Sequence, residues 1–311
     1  MKRLKVAILA CLLAVCMGVV LTGCSSQSYT PPAKQQTVSN AALGKAGTLR
    51  VGVNAASAPL AGQTANSARI VGIDVDVAAY LADQLGVKVE IVDVGQDAAA
   101  ALNDNKVDVV LGIDASDSTA NYWRSSAYLQ SGVALFAAPG ESTVPAIDSH
   151  PSIAAQVSSK SSWRVSNLYG ENSLVSQADL KSAFEALSKS EARYVAADAI
   201  IGTYVAHTSG KDAHVIAMLQ DPNGYCAAIS QSNAELQGAI TSALDKLTNG
   251  GMLDIVETKW LGAPLSLNGV TVVKTTAADA HSSAASPKAD ESASDEGEEG
   301  DEGEGEEGED E

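Results

Sequence analysis

Thiols, histidines and catalytic signatures are what this 311-residue chain is short of. Its cysteines are Cys11, Cys16, Cys24 and Cys226; the first two lie in an apolar N-terminal run and the third at its end. Cys226 is therefore the only thiol in the part expected to fold, and an intramolecular disulfide is excluded. It sits in the strand-like run GYCAAIS, where a cysteine acts as a small buried hydrophobe rather than a nucleophile. His150, His207, His214 and His281 are scattered, with no metal-spaced His or Cys cluster. No Walker loop, HExxH or GxSxG is present, so the expectation is a protein that is not an enzyme and carries no cofactor. Twenty Lys and Arg against 38 Asp and Glu give a net charge of −18, which opposes nucleic-acid binding.

What the chain does have begins at its ends. Lys2, Arg3 and Lys5 precede an apolar stretch over residues 6–21, too short and wrongly flanked for a membrane-spanning helix. It reads as an export signal. The segment LTGC at its end fits a lipobox, in which Cys24 is acylated, with palmitate among the chains, and becomes the first mature residue. Lipid chains contribute about 0.8 kcal/mol per buried methylene, so an acylated Cys24 holds a domain at a membrane. At the other end, residues 290–311 hold 14 acidic residues and no basic one, which leaves the rest of the chain at only −4. Like charges interspersed with Gly cannot bury apolar surface, so a disordered acidic tail is expected there.

Between the ends, residues 24–46 are rich in Ser, Gln, Thr and Pro and read as a flexible tether. From Gly47 the pattern turns to alternating strand and helix. TLRVGVN (48–54) reads as a strand, and IDVDVAAYLADQLG (73–86) as a helix with Asp74 as a candidate cap and Gly86 as its end. VKVEIVDV and VDVVLG follow as strands around a short Ala-rich helix, which makes βαβαβ with right-handed crossovers. After GVALFAAPG (132–140) a second such unit begins, with a strand near Ser152 to Val157, a helix over 178–190, a strand over 192–198 and another helix behind it. The chain then returns through GYCAAIS to two final helices. Two α/β units joined by two extended crossings describe a two-lobed α/β fold hinged over a cleft. The expected division is signal 1–23, tether 24–46, lobe one 47–136, lobe two 137–224, a lobe-one return 225–262, linker 263–289 and tail 290–311.

Six stretches in this order, LRVGVN, VGIDVDVAAYLADQLGVKVEIVDV, KVDVVLG, SSAYLQSGVALF, AADAIIGTYVA and NGGMLDIVETKWLG, resemble family 3 of the bacterial extracellular solute-binding proteins. The resemblance implies a type II periplasmic-binding-protein fold, and a receptor that traps an amino acid or related amine between its lobes. The implied partners are an ABC permease and its cytoplasmic ATPase, with the chain lipid-anchored on the outer face of the cytoplasmic membrane. Members hold the ligand's carboxylate with an Arg in a loop of the type T-x-T-x-x-R, whose fork matches a carboxylate bidentately. The matching stretch, GIDASDSTANYW, offers Asp114 and Ser118 but no basic residue, and Arg124 just beyond is the nearest substitute.

Leu60 stands where members present an aromatic lid. Asp198 matches the family's ammonium-receiving Asp; capping the following helix is the competing role. Lys160, Ser161 and Ser162, in QVSSKSSW, stand for the loop that donates to the carboxylate; an exposed Ser-rich loop is the alternative. Asp74 and Asp76 in GIDVD look like site residues, but the resemblance implies that this segment mainly caps and orients the helix, with ligand contact as the alternative. Trp123, Trp163 and Tyr128 read equally as cleft lining or core. The rival to a transport receptor is a surface sensor, scaffold or adhesion lipoprotein with a drifted site, which the missing Arg favours.

Overall fold

The computed structural model describes residues 34–118 and 120–274. The expected signal, Cys24, most of the tether and the acidic tail lie outside the described residues. Twenty-one helices and strands organise the rest: β1 (Thr48–Val53), β2 (Ala56–Ser57), β3 (Ala61–Gln63), β4 (Ile70–Val71), α1 (Ile73–Leu85), β5 (Lys88–Asp93), α2 (Ala98–Asn103), β6 (Val109–Asp114), β7 (Trp123–Arg124), β8 (Val133–Ala137), β9 (Ile153–Gln156), α3 (Lys160–Tyr169), β10 (Leu174–Gln177), α4 (Leu180–Ser188), β11 (Tyr194–Asp198), α5 (Ala199–Thr208), β12 (His214–Met218), β13 (Tyr225–Ile229), α6 (Ala234–Asn249), α7 (Met252–Leu261) and β14 (Thr271–Val272).

Lobe one is a five-stranded sheet in the order β5-β1-β6-β13-β7. Its first three strands are parallel because each is separated from the next by a helix, while β13 returns antiparallel to β6. Helix α1 packs its stripe of Val77, Leu81 and Leu85, all 2 % exposed or less, on this sheet, with α6 and α7 beside it. The helix stops where Gly86 turns to φ +68 and its N–H closes on Ala82 and Asp83 carbonyls. Asp74 is not its cap. The helix begins one residue earlier, behind Gly72, and the Asp74 side chain turns inward instead. Asp76 accepts from Lys259 Nζ at 2.6 Å and Trp260 Nε1 at 2.7 Å, which ties α1 to α7.

Lobe two is a six-stranded sheet in the order β10-β9-β11-β8-β12-β14, with β8 antiparallel to both its neighbours. The first crossing lies at residues 129–132, earlier than the expected boundary at 137. Val133–Ala137 is fully buried and pairs with β11 and β12, so this apolar run opens lobe two rather than closing lobe one. The second crossing occupies residues 219–224. Ser-rich QVSSKSSW is no loop: it contains the end of β9 and the first turn of α3.

Part of the stretch expected as a linker is built into the fold. After α7, Leu265 packs against the cores of both lobes, Leu267 is buried in lobe two, and β14 adds a parallel edge strand to β12. The apolar alternation of LSLNGVTVV supplies this strand. Cys226 is fully buried on β13 and free, and burial pushes its thiol up to about 11, so it stays protonated at neutral pH.

Candidate functional site: a cleft between the lobes

Strand ends and helix starts converge where the two crossings meet. From lobe one, β6 delivers Asp114 at its carboxyl end. From lobe two, β11 ends on Asp198, α3 begins with Lys160 and Ser161, and the first crossing supplies Ser131. These groups, with Tyr225 on the return strand, line a cavity of about 220 Å³. A larger cavity of about 470 Å³ opens on the lobe-one side, bounded by Asn54, Leu60, Asp74, Gly112, Asp114 and Tyr122 among others. Asp114 borders both. Ligands of parallel sheets bind at such strand ends because the loops and helix N-termini there present unsatisfied polar groups.

Asp198 performs the capping role. Its Oδ1 accepts the Ile200 and Ile201 N–H groups at 3.0 Å each, and its Oδ2 accepts the Ser131 hydroxyl at 2.7 Å. Burial raises its pKa, and these bonds with one from Tyr225 pull it back only partly. The same carboxylate borders the smaller cavity, so capping and ligand contact are compatible roles.

Asp114 and Lys160 join the lobes directly. Lys160 Nζ donates to Asp114 Oδ2 at 3.2 Å across the cleft, while Asp114 Oδ1 accepts the Ser116 N–H and hydroxyl at 2.9 and 2.6 Å. Partial burial pushes Asp114 upward, but the bonds from Ser116 and the charge of Lys160 outweigh it and hold the carboxyl below its usual range. Both side chains are well exposed, so the pair contributes little to stability and is readily exchanged.

Ser159 supplies the placement of Lys160. Its hydroxyl accepts the Ser162 N–H at 3.0 Å while its own N–H donates to Ser162 Oγ at 3.1 Å, a reciprocal capping box. Ser162 is thus occupied by the helix, and Ser161 is the serine of this turn that borders the cleft. Leu60 is buried and forms part of the lobe-one cavity wall. Ser118 is exposed and borders neither cavity.

Arg124 also borders neither cavity. Its guanidinium stacks 4.5 Å over the Tyr122 ring and donates to the Ala120 carbonyl at 3.2 Å, and its Nε is buried with no partner among the described residues. Trp123 packs half-buried on the lobe-one core and Trp163 is 70 % exposed.

Sequence reasoning missed the setting of Asp74. It is 1 % exposed, and the Tyr128 hydroxyl donates to its Oδ1 at 2.5 Å. The same hydroxyl accepts the Gly112 N–H at 2.9 Å, so Tyr128 pins α1 and β6 to the segment that leads into the first crossing. Gly112 is required here: its φ is +75, and a Cβ would stand 2.5 Å from Asp74 Oδ2. Burial, only partly offset by the Tyr128 bond, raises the Asp74 pKa to about 7. The signal in the sequence was the Asp at the head of an otherwise apolar helix face.

A two-lobed α/β chain with a polar cavity at its crossings belongs to the class of proteins that enclose a small ligand between lobes. The model of the bacterial extracellular solute-binding proteins, family 3, matches residues 49–263, and the chain belongs to that family. It has the type II periplasmic-binding-protein fold. An ancestral cationic amino acid solute-binding protein is 23 % identical with a TM-score of 0.58, over 69 % of this chain and 96 % of that one. The L-cystine solute receptor of Neisseria gonorrhoeae, in its unliganded open conformation, is 20 % identical with a TM-score of 0.62, over 71 % and 95 %. A polar amino acid ABC uptake transporter substrate-binding protein from Streptococcus thermophilus is 16 % identical with a TM-score of 0.63, over 72 % and 89 %. No curated protein matches the chain.

Proposed function

We propose that this chain is the receptor of an ABC importer, held outside the cytoplasmic membrane by lipid on Cys24, and that it captures a small amine-bearing solute between its lobes without chemical conversion. The observation that carries the reading is the cleft itself. Asp114 from lobe one and Asp198, Lys160 and Ser161 from lobe two face one cavity where two crossings allow the lobes to close. The Lys160–Asp114 pair is a contact that a ligand's own charges can replace as it enters. The closed form would then dock on a permease pair driven by a cytoplasmic ATPase.

Thermal unfolding of the full chain in detergent, against amino acids, polyamines, short peptides and other small metabolites, tests this. A ligand at about a thousand times its dissociation constant adds about 4 kcal/mol, a shift of roughly 8 to 16 °C for a domain of this size. A shift confined to one chemical class is the expected result. A flat response across the panel would instead favour a surface protein whose site has drifted, a reading to which the stacked, inward Arg124 lends weight.

A further inference from the structure

Asp74 presents a buried charge that the fold itself does not satisfy. Its Oδ1 has one neutral donor, Tyr128, and among the described residues no protein donor is recorded for Oδ2. Asp74 lines the 470 Å³ cavity, and its Oδ2 lies against Gly112 of the same wall. The groups packed round it are Tyr128 just before the first crossing, Gly112 and Asp114 from β6, Leu60 from the β2–β3 turn and Tyr225 from β13, whose hydroxyl is engaged by Asp198. None of them is a cation. The cavity also holds Asp97 and Asp117 and no Lys or Arg. The one cation at the neighbouring cleft, Lys160, already sits on Asp114.

A desolvated carboxylate with only a neutral donor is relieved by a positive partner. Among the described residues no group of three or more His, Cys, Asp or Glu is placed to hold a metal, so a cluster of protein ligands for a bare ion is lacking. The cavity wall mixes acidic and polar groups with the apolar side chains of Leu60, Val110 and Ile113, a lining that suits a short carbon chain ending in a cation.

We propose that the lobe-one cavity receives the ammonium end of an organic cation that carries no balancing carboxylate, with Asp74 Oδ2 as its acceptor. This deepens the receptor reading and rests on it. A carboxylate on the ligand would find no unpaired cation in either cavity unless it drew Lys160 off Asp114. The cationic ligand favours ionised Asp74, so binding near neutral pH releases a proton from a group that titrates at about 7.

The test is titration calorimetry on the full chain and its Asp74→Asn variant, with cadaverine, putrescine, lysine and glutamine as probes. The expected result is that a diamine binds at least tenfold tighter than lysine. Its binding to the wild type at pH 7 should release about half a proton, read from two buffers of different ionisation heat. D74N should weaken the diamine at least tenfold while its circular dichroism stays native. Lysine binding as tightly as cadaverine, a wild-type diamine complex formed without proton release, or a folded D74N of unchanged affinity would each overturn the assignment. Because proton release is measured on the wild type, the proposal stays open to refutation even where the variant does not fold. Tight glutamine binding with no diamine binding would overturn this inference and leave the receptor standing; no binding by these probes or by the wider panel would overturn both.

Discussion

Asp74 illustrates how a single residue can be readable in kind and unreadable in place. An Asp near the head of a helix is ordinarily a cap, and GIDVD invited that reading. The side chain instead lies under Tyr128 because the α1 face it belongs to is the buried one, and its isolation has a consequence for the unliganded protein. The folded pKa, about 7, stands above the usual value of 3.8, so between those limits the folded state holds a proton that the unfolded chain has released. The unfolded state binds fewer protons, stability therefore falls as pH rises through this window, and the loss is complete above it. At about 1.4 kcal/mol per pKa unit the upper limit is about 4 kcal/mol. Asp74→Asn keeps an acceptor for Tyr128 and removes the charge. Its melting temperature relative to the wild type should accordingly climb from pH 5 to pH 8; a difference that stays constant would show that Asp74 does not titrate in this range.

Elements with strong periodicity were legible, and those made by long-range pairing were not. Helix α1 carries its stripe in sequence and a Gly at its end, and helices alternate with strands β1, β5 and β6, so the βαβαβ part of lobe one could be written down from residues 48–114, though not the small β2–β3–β4 sheet within it. Helix α3 was hidden because KSSWRVSNLY has only Val165, Leu168 and Tyr169 as large buried side chains, and its serines read as a loop. The overlooked clue was Ser159 three positions before Ser162, a capping pair with Ser in the place of the usual Glu. Of the site, Asp114, Lys160, Ser161 and Asp198 were named from motif order and meet at the cleft, while Arg124 and Ser118 were not brought to it. Spacing cannot show which way an Arg turns once a Tyr ring two residues away offers its face. The capping box gives a direct check. Ser159→Ala removes the acceptor for Ser162 N–H and should cost about 1 kcal/mol, a fall of roughly 2 to 4 °C in melting temperature. Since Lys160 is the next residue, the same variant should weaken capture of the solute even at temperatures where the chain is folded.

For the whole molecule, the unexpected feature is that the lobes are joined three times. The family model ends at residue 263, and it is the residues just beyond it that make the third connection. Glu257, buried on α7, accepts the Leu265 N–H at 3.0 Å as the chain leaves lobe one. Leu265 then touches both cores, and Leu267 and Val273 are buried in lobe two on either side of β14. A strap fixed at both ends limits how far the lobes can part, yet its short strand and central Asn268–Gly269 leave it pliant enough to follow closure. Burying Leu267 and Val273 is worth about 1.5 to 3 kcal/mol each. A chain ending at 263 should therefore melt at least about 6 °C below one ending at 274, with both lacking the acidic tail. The truncated chain should also show a larger radius of gyration by X-ray scattering without ligand, because only the two crossings at 129–132 and 219–224 then restrain the lobes. Equal melting temperatures would mean that β14 rests on lobe two without holding it. Equal melting with a larger radius of gyration cannot be reconciled with that, since a strand too weak to stabilise its lobe is too weak to tether it.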